Sequence, residues 1–142
     1  MTSAEARNEL IRNHGWAGTT VDIWMQANGC CEYCGVNLLS SSDRYFDGSH
    51  IDHIVPDGSN DPDNFALACV ACNRIKRRFD PSRKDAPSQT RKELLDAARS
   101  YILQRRERDA GRLRAAAPLL RDCGIRAPIM CGAADVTLDQ NE

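Results

Sequence analysis

The stretch FALACVACNRIKRRF, residues 65–79, changes its period in the middle. FALAC is a short apolar run preceded by the turn-forming DGSNDPDN, and this predicts a strand. VACNRIKRRF then spaces Cys72, Ile75 and Phe79 along one stripe of a helix, with Asn73, Lys76 and Arg77 on the neighbouring face, and Asp80 and Pro81 close it. Two cysteines, Cys69 and Cys72, stand where strand gives way to helix.

Upstream, CEYC at 31–34 repeats the two-residue gap of CVAC at 69–72. That gap lets a tight turn present two thiolates to one cation, and two such pairs complete the tetrahedral sulfur set of a structural zinc site, Cys31, Cys34, Cys69 and Cys72. Cys30 adjoins the first pair, but only Cys31 keeps the two-residue gap to Cys34; Cys123 and Cys131 read as free thiols. Four thiolates leave no position for a substrate, so this zinc supports folding. Aromatic residues are only 6% of the chain, and a thin core gains from such a staple. Joining the pairs pins residues 35–68 at their base and folds the intervening strand back against the helix that starts at the second pair.

That strand is SHIDHIV, residues 49–55, ended by Pro56. It carries His50, Asp52 and His53, and it would face Asn73, Lys76 and Arg77 of the helix. Asp52 and the Asn73 carbonyl are hard oxygen donors, too few to cage a divalent ion alone; they suit Mg²⁺ or Mn²⁺, which keep waters and accept a phosphate oxygen. His53 can take a proton from water near neutral pH. Metal, base and cations together are what phosphodiester cleavage requires. His50 shares the Asp52 face and is a candidate contact to metal or phosphate, with an exposed loop histidine as its alternative. Asp52 and His53 point to opposite faces of a regular strand, so a shared role calls for a twist or bend there.

Together CEYCG, IDHIVP, Asn64 within DPDNFALAC, and CVACNRIK resemble the HNH endonuclease family, the ββα-metal or His-Me finger nucleases. The resemblance covers roughly residues 30–79 and implies a role for each matching position. His53 would be the general base, Asp52 and Asn73 the ligands of a single catalytic ion, and Asn64 the residue that fixes the loop beneath the base through backbone hydrogen bonds. Lys76 would lie near the phosphate. Cleavage of this kind leaves a 5′-phosphate and a 3′-hydroxyl. The implied fold is α+β, a small treble-clef-like ββα-metal finger stapled by zinc, with N-terminal helices before it and a C-terminal basic helix after it.

The rest of the chain is placed around this core. Residues 1–29 read as a helical segment, with one helix in TSAEARNELIRNHG and a second in VDIWMQANG capped by Thr19 or Thr20. Residues 30–80 are the nuclease core, with a polar loop at 40–48. A linker and a basic helix over 88–116 occupy residues 81–117, and residues 118–142 form a tail without motifs. In the helix, Leu94, Leu95, Ala98, Tyr101 and Ile102 make a stripe that would dock on the finger.

The net charge of −1 conceals an imbalance: residues 1–70 carry −7 and residues 71–142 carry +6. From Arg74 to Arg114, fourteen basic residues stand against six acidic ones, a surface able to bind DNA with salt-sensitive affinity. No apolar run approaches the ~18–20 residues that span a bilayer, and no signal core is present, so the expectation is a cytoplasmic protein without a membrane partner, as monomer or homodimer. Two functions of different class fit the sequence: a metal-dependent endonuclease, and a non-catalytic zinc-stapled module that binds nucleic acid.

Overall fold

A computed structural model of the chain describes residues 1–126. Clustering of contacts divides it into residues 1–107 and residues from 108 onward. In the first unit the order is α1 (Ser3–Asn13), α2 (Gly18–Gln26), α3 (Ser42–Phe46), β1 (Ser49–His53), a 3-10 turn at Pro62–Asn64, β2 (Phe65–Cys69), α4 (Val70–Lys76) and the start of α5 (Arg91–Asp122). Strand, strand and helix follow one another from β1 to α4, the ββα order of the expected finger.

β1 and β2 pair antiparallel with one-to-one register from Ser49 opposite Cys69 to His53 opposite Phe65. The ladder is continuous through Asp52 and His53, so no bulge separates those two residues. The strand also stops two residues short of the sequence reading. Asn64 is the reason: its main-chain carbonyl accepts from Ile54, and its side chain takes both backbone groups of Val55, which withdraws that residue from strand pairing.

Helix starts follow side-chain caps in four places, one of them the Cys69 sulfur, which accepts from the Cys72 amide at the head of α4. Thr2 and Glu5 form a reciprocal capping box on α1, Ser41 caps α3, and Thr90 and Glu93 exchange the same pair of bonds at the head of α5. α2 differs. Its N-cap is Ala17 with no side-chain bond, so Thr19 and Thr20 lie inside the first turn rather than at the cap. Arg7 of α1 ties this end down by pairing with Asp22 at 2.8 Å. α3 occupies part of what reads in the sequence as a polar loop, and it delivers Tyr45 to a cluster with Trp16 and Trp24, ring centroids 5.7–6.1 Å apart.

α4 ends at Lys76, three residues earlier than its apolar stripe predicts, because Arg77 adopts φ +47°, a conformation that L side chains rarely take. The chain then leaves the helix axis, and Phe79 stacks on Tyr101 of α5 with centroids 3.7 Å apart. The guanidinium of Arg105 lies 3.4 Å from the centroid of the same ring, which places it on the opposite face.

The core is small. Ile23, Tyr33, Leu38, Ile54 and Leu67 are its larger members, joined by Ala66 and Ala68 of β2 and by Cys31, Cys69 and Cys72. Leu95, Ala98 and Ile102 bring the α5 stripe onto it, with Leu94 and Tyr101 at the margin, as the spacing of those residues predicts. In the second unit, α5 runs through Pro118 to Asp122, beyond the expected end at residue 116, and Gly124 at φ +82° closes it with a Schellman pair of bonds, Gly124 to Arg121 and Ile125 to Leu120. Cys123 is exposed, and Cys131 lies outside the described residues.

Ala98 is fully buried where α5 meets the finger, so Ala98→Leu is expected to lower unfolding free energy by about 1–3 kcal/mol through overpacking. Urea denaturation followed by circular dichroism measures this, with the exposed Ser100→Leu as the control.

Candidate metal centre and nuclease site

Four sulfurs converge first. The Sγ atoms of Cys31, Cys34, Cys69 and Cys72 all lie within 4.8 Å of one another, and Cys34 and Cys69 are 3.8 Å apart. A tetrahedron of sulfurs at the ~2.3 Å zinc–sulfur distance has edges of about 3.8 Å, so the cluster is arranged as a zinc site. The neighbouring thiols hold one another's protons. Hydrogen bonds from Cys31 and its neighbours push Cys34 and Cys69 down, Cys69 to about 6, while bonds within the same cluster push Cys31 and Cys72 up. A dication bound at the four sulfurs would take the place of the protons they share.

Around this cluster α5 places three arginines about two turns apart on a single face. Arg91 binds the Glu32 carboxylate at 2.8 Å and the Phe65 carbonyl; Arg99 donates to the Glu32 carbonyl; Arg106 reaches Cys72 Sγ at 3.2 Å. Burial works to lower the Arg106 pKa, but the sulfurs of Cys72 and Cys34 outweigh it and raise the value. Glu32 sits inside the first cysteine pair, so these contacts grip the knuckle itself. The sequence shows the arginines but not their direction, since a basic helix reads the same whether it faces DNA or a nest of thiolates.

The second constellation lies at the end of β1. His53 is half-buried; its Nε2 is 3.0 Å from Asn60 Oδ1, and its ring meets Phe65 edge-on at 4.7 Å. Asn64 lies across the β1–β2 connection, accepting from the Val55 amide at 2.9 Å and donating to the carbonyls of Val55 and Ser59. Gly58 packs so closely here that a Cβ would lie 2.9 Å from the Val55 carbonyl oxygen. The loop that carries Asn60 is thereby held beside the imidazole.

Asp52 faces the other way. Its Oδ2 accepts from the Tyr33 hydroxyl at 2.6 Å and lies 3.0 Å from the Lys76 ammonium, which also donates to the His53 carbonyl at 2.7 Å. Burial first, then the Asp52 charge, pushes the Tyr33 phenol up and keeps it a donor. Lys76, expected beside a phosphate, is instead buried completely, and all its described contacts are internal. Asn73 lies one turn before Lys76 on α4, on the side of the helix that meets β1. Arg77 is exposed after the helix end, and His50 is exposed on β1 beside an open groove lined by Thr20, Trp24 and Ile51. The structure therefore brings Asp52, Lys76 and Tyr33 together and sets His53 with Asn60 and Phe65, while His50 stands apart.

Three members of this arrangement escape the sequence reading. Tyr33 looks like filler between two ligands, and Asn60 like one more turn residue in DGSNDPDN. Glu32 gives no sign of its partners because they lie 59 and 67 residues away.

Residues 31–79 match a family model described as HNH endonuclease. The match runs from the first cysteine pair through Phe79, between α2 and the start of α5 in the sequence. No curated protein and no solved structure matches the chain. Among the described residues, no helix is long and apolar enough to cross a membrane.

Removing one partner of a buried ion pair strands the other, so Lys76→Met is expected to cost about 3–5 kcal/mol of stability. A lysine serving only a phosphate would leave the urea midpoint of the DNA-free protein unchanged.

Proposed function

We propose that the chain is a metal-dependent HNH endonuclease that hydrolyses DNA phosphodiester bonds with His53 as general base. The observation that carries this reading is the imidazole of His53, held by Asn60 at the end of β1 in a segment matched by the HNH family, with the Asn64 clasp beneath it. Contact through Nε2 leaves Nδ1 as the nitrogen to receive a proton from water. Zinc at the four cysteines holds the finger together and takes no part in the reaction.

Asp52 and Asn73 would hold Mg²⁺ or Mn²⁺. The donor set fits a hard cation: a carboxylate with Oδ1 outside the contacts of Tyr33 and Lys76, and a carboxamide on the facing helix. When bound, such an ion supplies charge stabilisation at the leaving 3′-oxygen. His53 withdraws the proton from the attacking water, Asn60 and Phe65 hold the ring in place, and Asn64 keeps the Asn60 loop from moving away. Lys76 acts from within, fixing Asp52 and the His53 carbonyl relative to each other.

DNA contact on this reading falls to the exposed cations after β2, Arg74, Arg77, Arg83 and Lys84, because Arg91, Arg99 and Arg106 are committed to the knuckle. A non-catalytic zinc module that binds nucleic acid is the second reading. It is favoured by the same Lys76 contact, which already gives Asp52 an internal cation.

Plasmid nicking in Mg²⁺ or Mn²⁺ separates the two. His53→Ala is expected to abolish cleavage while zinc content and the unfolding midpoint stay at wild-type values; equal cleavage by the variant removes His53 as the base, and no cleavage by the wild type favours the silent module. DNA affinity measured across a salt series gives a further check. Arg77→Ala is expected to reduce the log–log salt slope by about 1, the loss of one phosphate contact, whereas Arg106→Ala leaves the slope unchanged and weakens zinc retention.

A further inference from the structure

We infer that Tyr33 is a positioning residue that sets which divalent ion Asp52 can take, by restricting this carboxylate to one free oxygen. The inference rests on the reading of Asp52 as the ligand of a catalytic ion, and it adds a residue and a selectivity to that site.

Tyr33 is 1% exposed and lies between Cys31 and Cys34, so its ring is fixed by the same turn that presents the sulfurs. Its hydroxyl and the Lys76 ammonium approach Asp52 from two different elements, yet both meet the same oxygen, Oδ2, at 2.6 and 3.0 Å. The carboxylate is also only 11% exposed, which leaves little room for it to turn. A cation arriving at Asp52 therefore meets Oδ1 alone.

A single carboxylate oxygen with retained waters is the coordination that Mg²⁺ and Mn²⁺ accept. Ca²⁺ is larger, takes six to eight oxygens and readily uses a carboxylate through both. Removal of the Tyr33 hydroxyl frees one of the two restraints on Oδ2 and lets the carboxylate offer both oxygens. The zinc turn would in this way shape the second metal site through one phenol, with no ligand in common.

The test is Tyr33→Phe, which keeps the ring and deletes one oxygen. Mn²⁺ binding to the zinc-loaded full chain without DNA is followed by electron paramagnetic resonance of free Mn²⁺, and Ca²⁺ binding by competition; zinc content is measured alongside. The expected result is unchanged zinc and a shift of about fivefold in the Mn²⁺ to Ca²⁺ affinity ratio toward Ca²⁺, the worth of one hydrogen bond. A merely structural tyrosine would weaken both ions equally, and an unchanged ratio overturns the inference. Loss of zinc in Tyr33→Phe also overturns it, since the hydroxyl would then serve the knuckle. Asp52→Asn separates the two levels. If this variant loses Mn²⁺ while Tyr33→Phe keeps the wild-type ratio, only the inference fails; if it binds Mn²⁺ as wild type does, Asp52 is no ligand and both readings fall.

Discussion

Convergence of four cysteine sulfurs within 4.8 Å joins two segments that are more than thirty residues apart, and Glu32 reinforces the junction by pairing with the Leu67 backbone. The two-stranded sheet is short, two of the five β2 residues are alanines, and three of the cysteines are counted among the buried core side chains. A core of this size yields modest burial free energy, while structural zinc contributes ~10–16 kcal/mol in finger peptides. The cluster therefore reinforces the packing of α4 against β1 that the Lys76 contacts also hold. The contact of Lys76 on Asp52 depends on that packing, whereas Asn64 on Val55 is local to the β1–β2 connection.

The division of the arginines follows from the same cluster. A tetrathiolate around a dication keeps a net negative charge, and the cheapest way to balance it without water is a cation already fixed on a packed helix. α5 supplies Arg106 at Cys72 and secures the neighbouring turn through Arg91 and Arg99. The basic excess of the second half of the chain thus has two uses. Part of it is internal counter-charge for the acidic first half, and the remainder, exposed after β2, is available to a polyanion.

How much of this could be read from the sequence depends on how local the physics is. The paired cysteine gaps, the strand FALAC and the α5 stripe are each set by residues within one or two turns of each other, and the structure shows all three. Asn64 is legible as a turn residue, and its bonds to Val55 span only nine positions. Lys76 was out of reach. A lysine three residues after Asn73 belongs to a basic run, and only the packing of α4 on β1 decides that its ammonium turns inward. The end of α4 is similar: the apolar period continues to Phe79, but stacking on Tyr101, twenty-two residues later, draws Phe79 off the axis and puts Arg77 at positive φ. That strain costs about 1–3 kcal/mol and is offset by a contact the local sequence does not contain.

The continuous register of β1 changes how the site has to work. With Asp52 and His53 on opposite faces, the carboxylate and the imidazole do not share surroundings merely because they are neighbours in sequence. Each has its own support instead. Asp52 is held from the zinc turn and from α4, and His53 from the loop that Asn64 fastens. Lys76 connects them, because its one ammonium touches both the Asp52 carboxylate and the His53 carbonyl. On the proposed reading, a phosphodiester spanning the edge of the strand meets Asp52 on one side and His53 on the other. In-line attack asks for that separation, since the water enters and the leaving oxygen departs on opposite sides of phosphorus. Two faces of one strand, each anchored by different elements and with no bulge between them, would provide it.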